Sequence, residues 1–420
     1  MSNQMIPSLV LLITYVLLVL EKLPRVVVAL LGACTVIITK VVTQEEAFAY
    51  IDFNVIFLLV GMMILVNVLA ETGALKLTAF YIAKKAKGNG IRLMIYFAVL
   101  TAILSAFLDN VTTVVIIASV TCTLAKELKI NPLPYLVSEI IASNVGGTAT
   151  LIGDPPNIMI GSAAKLIFND FIIHIAPIIF IILPISIITL YFFYKKDLQL
   201  PKNTKNKLEK IQLKELITNR KLLTISLFVI SFVLLGFFLH GVLELEVGTI
   251  ALAGASVLLI FENKKDIWND VEWPTIFFFI GLFIVVGAVE KVGTLDYLSK
   301  LILNLSKGSF EILTLSVLWL SAIMSALIDN IPYTATMIPM IKNIGGHFQD
   351  IQPLWWALSL GACLGGNGTL IGASANIIVA DMANKSGHPI RFIEFFKIGG
   401  LITVQSLIIS SLYLWFRYIL

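Results

Sequence analysis

Residues 146–161 read GGTATLIGDPPNIMIG: four glycines, two adjacent prolines, an aspartate and an asparagine in a strongly apolar chain. Glycine and proline are the poorest helix formers. A charged group at the bilayer centre costs at least ~2.5–3.5 kcal/mol on insertion scales. The stretch therefore unwinds a helix and frees backbone N–H and C=O groups. At membrane depth such groups are tolerated only where they line a polar cavity or are buried in protein. A broken transmembrane helix follows, with half-helix ends that offer dipoles and carbonyls to a solute.

The rest of the chain supports a membrane setting. Of 420 residues only 13% are charged, and mean hydropathy is +0.95. A soluble domain is about a quarter charged. Continuous apolar runs near the ~20 residues that cross a bilayer recur throughout, which excludes the short alternating segments of a β-barrel. The expected fold is an all-α polytopic membrane protein. Spans are expected near 6–21, 25–43, 54–71, 132–157, 171–194, 221–240, 244–261, 274–290, 354–376 and 396–416. Two further stretches, 92–125 and 310–341, break midway at "LDN" and "IDNIP" and read as re-entrant hairpins of two short helices. The N-terminal run lacks a basic n-region and reads as a retained span.

The sequence repeats itself. Residues 52–75 match 272–295 with seven of 24 positions identical, "ILSAFLDN" (103–110) matches "IMSALIDN" (323–330), and "GGTATLIGDPPNI" (146–158) matches "GGNGTLIGASANI" (365–377) with eight of 13 identical. Between the copies, residues 195–221 carry nine Lys or Arg against three acids, which the positive-inside rule places in the cytoplasm. The expected division is 1–194, a basic cytoplasmic linker 195–220, and 221–420. Each half has five spans and one hairpin. Five is odd, so the second half enters the membrane inverted, and both termini are expected outside. Inverted repeats with broken helices place solute near the bilayer midplane.

The polar residues in these elements are the candidate solute and ion ligands. Asp109-Asn110 and Asp329-Asn330 occupy the hairpin tips, with Ser105 and Ser325 one turn earlier on the same face. The first broken span offers Asn144, Gly146, Gly147, Thr148, Thr150, Gly153, Asp154 and Asn157. The second offers Gly365, Gly366, Asn367, Thr369, Gly372 and Asn376, but Ala373 stands opposite Asp154. Two carboxylates in the first half against one in the second imply that proton or cation handling concentrates in the first. The asparagines and threonines either line the site or satisfy freed backbone, and the tip aspartates also cap helices well. Glu139 is either a relay or a span-end residue. Trp355, Trp356 and Trp415 read as interfacial anchors, and 76–88 as an amphipathic surface helix. Cys34, Cys122 and Cys363 are far apart without metal-ligand spacing, and read as apolar packing residues. Neither a resident metal nor a cofactor is expected, nor nucleic acid as a partner.

On these residues, above all "SNVGGTATLIGDPPN" (143–157) with the two tips, the chain resembles the ion transporter superfamily. It is most similar to the branch of arsenite-efflux permeases, NhaD-type sodium/proton antiporters and the melanocyte P protein. The resemblance implies a scaffold bearing a mobile solute-carrying part, elevator movement, a homodimer and, for an arsenite type, a soluble ATPase subunit. In the superfamily's dicarboxylate symporters the tips carry Ser-Asn-Thr. Here they read Asp109-Asn110-Val111 and Asp329-Asn330-Ile331, and the added negative charge suits proton or cation coupling better than a dicarboxylate. Asp109, Asn110 and Asp154 match residues that the NhaD type needs for transport, although Pro155-Pro156-Asn157 replace the hydroxyl residues that follow in that type.

The leading expectation is therefore a proton-coupled antiporter of the plasma membrane that exports arsenite or antimonite. The alternatives are a sodium/proton antiporter and an organic (di)carboxylate or other anion transporter. An intramembrane aspartyl protease is disfavoured: Leu151 replaces the first glycine of Gly-x-Gly-Asp, no Pro-Ala-Leu element is evident, and the duplication has no place there.

Overall fold

The computed structural model describes residues 4–20, 22–201, 204–209, 216–262, 267–306 and 308–420. Among them every regular element is helical. The first half comprises α1 (Met5–Leu20), α2 (Arg25–Ile38), α3 (Gln44–Ala49), α4 (Phe53–Glu71), α5 (Ala74–Lys85), α6 (Gly90–Phe107), α7 (Asn110–Leu128), α8 (Leu133–Thr148), α9 (Pro155–Ala164), α10 (Phe168–His174) and α11 (Ala176–Tyr194). A short α12 (Thr204–Glu209) lies in the linker, of which 202–203 and 210–215 fall outside the described residues. The second half comprises α13 (Arg220–Leu243), α14 (Val247–Phe261), α15 (Trp273–Lys291), α16 (Thr294–Leu305), α17 (Phe310–Ile328), α18 (Asn330–Gly345), α19 (Gln352–Gly365), α20 (Ser374–Lys385) and α21 (Phe392–Leu414). Eight of these helices are long and apolar enough to cross a membrane. The protein is a polytopic membrane protein.

The halves interlock. α14 lies against α4, and α2 lies against α15 in the matching way. Small residues make both crossings close. A Cβ on Gly61 would come within 2.6 Å of the Ala251 backbone, and one on Gly281 within 2.7 Å of Ala29. Within each half the hairpin packs on the broken helix, α6 on α8 and α17 on α19. Between halves the packing is crossed, α7 with α20 and α18 with α9, so each tip reaches the other half's break.

The linker marks one end of the molecule. Thr218 donates to the Glu71 carbonyl at 2.6 Å, and Lys207 donates to the Glu127 carbonyl at 3.0 Å. Asn67 ties the same end of α4 to the Asp270 carbonyl, just before α15, at 2.6 Å.

Two expectations change. The hairpin arms are not short: α6 has 18 residues and α7 has 19, about 27 Å each at 1.5 Å per residue. Arms of this length let a hairpin tip reach the buried turn that carries Asp154. Trp355 and Trp356 are buried, not interfacial. Trp356 stacks on His174 at 5.0 Å and meets Phe171 edge-on at 5.3 Å, because α19 is enclosed by neighbouring helices. The amphipathic α5, which buries Leu75, Ala79, Phe80 and Ala83, has a counterpart in α16 that the sequence reading passed over.

Gly61→Leu should force α4 and α14 apart. The expected cost is ~1–3 kcal/mol or more, seen as a lowered melting temperature in detergent. An unchanged melt would contradict the close crossing.

Candidate functional site

The opening stretch folds as its residue types require. Two prolines start α9, where the missing N–H is no loss and φ is preset. The residue before a proline is driven to extended backbone, and Asp154 sits at φ −143°, ψ 135°. The chain thus leaves α8 at Thr148, crosses through an unwound turn, and presents the Asp154 carboxylate before α9 begins. Ala373 repeats this backbone at φ −150°, ψ 145° without the carboxylate.

Asp154 is fully buried. Its Oδ1 accepts from Asn110 Nδ2 at 3.2 Å and from Asn330 Nδ2 at 3.2 Å. Both hairpin tips therefore converge on one carboxylate. The convergence leaves a cavity of 120 Å³ beside them, lined among others by Asp109, Asn110, Asp154, Glu272, Asn330 and Ser374. At ~30 Å³ per water in the liquid, that is room for about four waters or a small inorganic solute. Glu272 stands at the start of α15, so the cavity's rim lies toward the linker end.

Asp109 caps α7, accepting from Thr112 N at 2.8 Å and Thr112 Oγ1 at 3.0 Å. Asp329 is held differently. Arg25 Nη1 lies 2.5 Å from its Oδ2, and Ser374 Oγ donates to the same oxygen at 3.3 Å. Asp329 also sits at φ 110°, a strained value for a non-glycine residue that costs of order 1–3 kcal/mol.

The other expected residues serve the unwound turns more than the cavity. Asn157 Nδ2 bridges the carbonyls of Thr148 and Thr150 at 3.0 and 2.9 Å, and its Oδ1 accepts from Ser359 at 2.6 Å. Asn376 Nδ2 does likewise for Gly366 and Thr369 at 2.7 and 2.9 Å. Thr148 donates to the Asn144 carbonyl at 2.6 Å. Thr150 donates to the Ala106 carbonyl, and Thr369 to that of Ala326. Ser105 and Ser325 donate to the carbonyls of Ser143 and Ala362. Asn144 joins Asn367 and Asn376 at 2.9 and 3.0 Å where the two breaks meet. The glycines allow close approach. A Cβ on Gly153 would lie 2.5 Å from the Gly147 carbonyl oxygen, and one on Gly372 2.7 Å from that of Gly366. Gly146 and Gly365 pack on Ala102 and Ala322 of the hairpins.

Glu139 is neither at a span end nor in the cavity. It is buried within α8, where Thr121 donates to it at 2.5 Å.

The sequence reading missed four residues. Glu272 was legible, because Asp52 and Glu272 open the matched segments at the same offset. Arg25 and Ser374 have no polar counterpart in the other half and gave no signal. Cys363 was taken for packing, yet its Sγ lies 3.5 Å from Asn157 Oδ1. The structure brings it there because α19 packs against α8 and α9.

Comparison with known proteins gives one family and several close relatives. The citrate transporter family matches residues 15–361. An uncharacterized transporter of Mycobacterium tuberculosis is 40% identical over 414 residues, covering 96% of each chain. A 46 kDa membrane protein of Mycobacterium leprae is 38% identical over 420 residues, covering 98% of each. The P protein of Homo sapiens is 32% identical over 488 residues, covering 95% of this chain and 58% of its own length.

Asn157→Ala and Asn376→Ala should each leave two buried carbonyls unmet and cost ~1–3 kcal/mol of stability. Asn110→Ala, beside the cavity, should lower the melting temperature much less. Equal melting shifts for Asn110→Ala and Asn157→Ala would contradict this division of roles.

Proposed function

The chain belongs to this citrate transporter family of membrane transporters, and we propose that it is a proton-coupled antiporter that exports arsenite or antimonite from the cytoplasm. The observation that carries the reading is Asp154: a buried carboxylate that both hairpin tips hold with amides, at a cavity of 120 Å³. No Lys, Arg or His among the described residues pairs with it. An uncompensated charge in the membrane core is costly, so the carboxylate exchanges a proton against solute. The neutral hydroxide of trivalent arsenic both donates and accepts hydrogen bonds. Asp154 and Asp109 supply acceptors, and the amides of Asn110 and Asn330 supply donors. The linker is then cytoplasmic and the cavity opens toward it in this conformation.

Sodium is the second reading, because three carboxylates, Asp109, Asp154 and Glu272, face one small space. Citrate, which the family's description names, carries negative charges that the same wall repels.

Everted vesicles energised with a pH gradient test these readings. Arsenite accumulation without a sodium response supports export of arsenite. Collapse of the gradient on adding sodium, without arsenite uptake, replaces it with sodium/proton exchange. Labelled citrate uptake overturns both. In the same assay Asp109→Asn and Asp154→Asn should reduce coupled transport by more than ~100-fold, equivalent to about 2.7 kcal/mol. Asp329→Asn should impair it less, and equal losses from all three would refute the asymmetry.

A further inference from the structure

The two hairpin tips are sequence twins, Asp109-Asn110 and Asp329-Asn330, but their carboxylates are compensated differently. At the second tip two elements, α2 and α20, close on Asp329. Arg25, the first residue of α2, approaches its Oδ2 at 2.5 Å. The same Arg25 Nη1 donates to Ser374 Oγ, at the start of α20, at 2.8 Å, and Ser374 donates to Asp329 at 3.3 Å. Asp329 is 2% exposed.

The internal repeat shows what the first tip lacks. The crossings at Ala29 and Ala251 align α2 with α14, which puts Val247 where the second tip has Arg25. The matched breaks put Pro155 where the second has Ser374. Asp109 therefore has neither partner, and no Lys, Arg or His among the described residues pairs with it. It faces the cavity beside Asp154 and Glu272 instead.

We propose that the Arg25 guanidinium is a resident cation, filling at the second tip the place that the first tip leaves for an exchangeable cation or proton. A guanidinium is permanently charged and tethered, so this position does not cycle. Asp329 then takes up no ion during transport, and all ion exchange falls to the carboxylates of the cavity. The inference rests on the geometry of the tips and holds whichever solute is carried. Its consequence is specific: without the guanidinium, Asp329 and the Ser374 hydroxyl form a vacant site for a small monovalent cation.

The test uses purified protein in detergent, with melting temperatures measured in choline, sodium or lithium chloride at equal ionic strength. Arg25→Gln should melt lower than wild type in choline and gain about 2–5 °C more than wild type on exchange into sodium or lithium. Arg25→Lys, which keeps the charge, should respond as wild type does. Arg25→Gln combined with Asp329→Asn should lose the added response. The proposal is overturned if Arg25→Gln shows only the wild-type response, or if the double variant keeps the gain. Asp329→Asn alone supplies the check should Arg25→Gln not fold. Its cation response should equal that of wild type, and loss of a response that wild type shows would place an exchangeable ion on Asp329 and overturn the proposal.

Discussion

A carboxylate at the centre of a membrane protein needs donors, and Asp154 takes its donors from both halves of the chain. Asn110 comes from one hairpin tip and Asn330 from the other. That single meeting constrains the architecture. Both hairpins must have arms long enough for their tips to reach this point, and the helix bearing Asp154 must unwind there. The crossed packing of α7 on α20 and of α18 on α9 follows from the same requirement.

Unwinding a helix in a low-dielectric setting exposes backbone groups that water cannot reach. The molecule meets this with repeated devices. One asparagine spans the turn in each half, a threonine anchors each turn to its hairpin, and paired glycines let the two strands of each turn touch. These devices are nearly symmetric between the halves. The charges are not. Asp154 stands opposite Ala373, and Asp329 is tied to Arg25 while Asp109 faces the cavity. A symmetric frame thus carries an asymmetric site.

Much of this was legible in the sequence because the duplication marks it. Gly-Gly, Leu-Ile-Gly and Asp-Asn recur in order, and they locate the breaks and tips that the structure brings together. Which of those residues face the cavity was not legible. Asn157 and Asn110 look alike in sequence, yet one bridges two carbonyls and the other holds Asp154; the difference lies in which helix packs beside each. Arg25 was invisible for a related reason. It lies far from Asp329 in the chain, has no counterpart in the repeat, and joins the site only because α2 packs on the second half. Cys363 gained its place beside Asn157 in the same way, through helix–helix packing that no local pattern encodes.

The central claim is that Asp154 gives up a proton when solute binds. Purified protein in weakly buffered detergent, followed with a pH indicator while arsenite is added, reads this directly. The account predicts that wild type releases protons saturably and that Asp154→Asn, folded and melting normally, releases none. Undiminished proton release from Asp154→Asn would contradict it and move the exchange to another carboxylate.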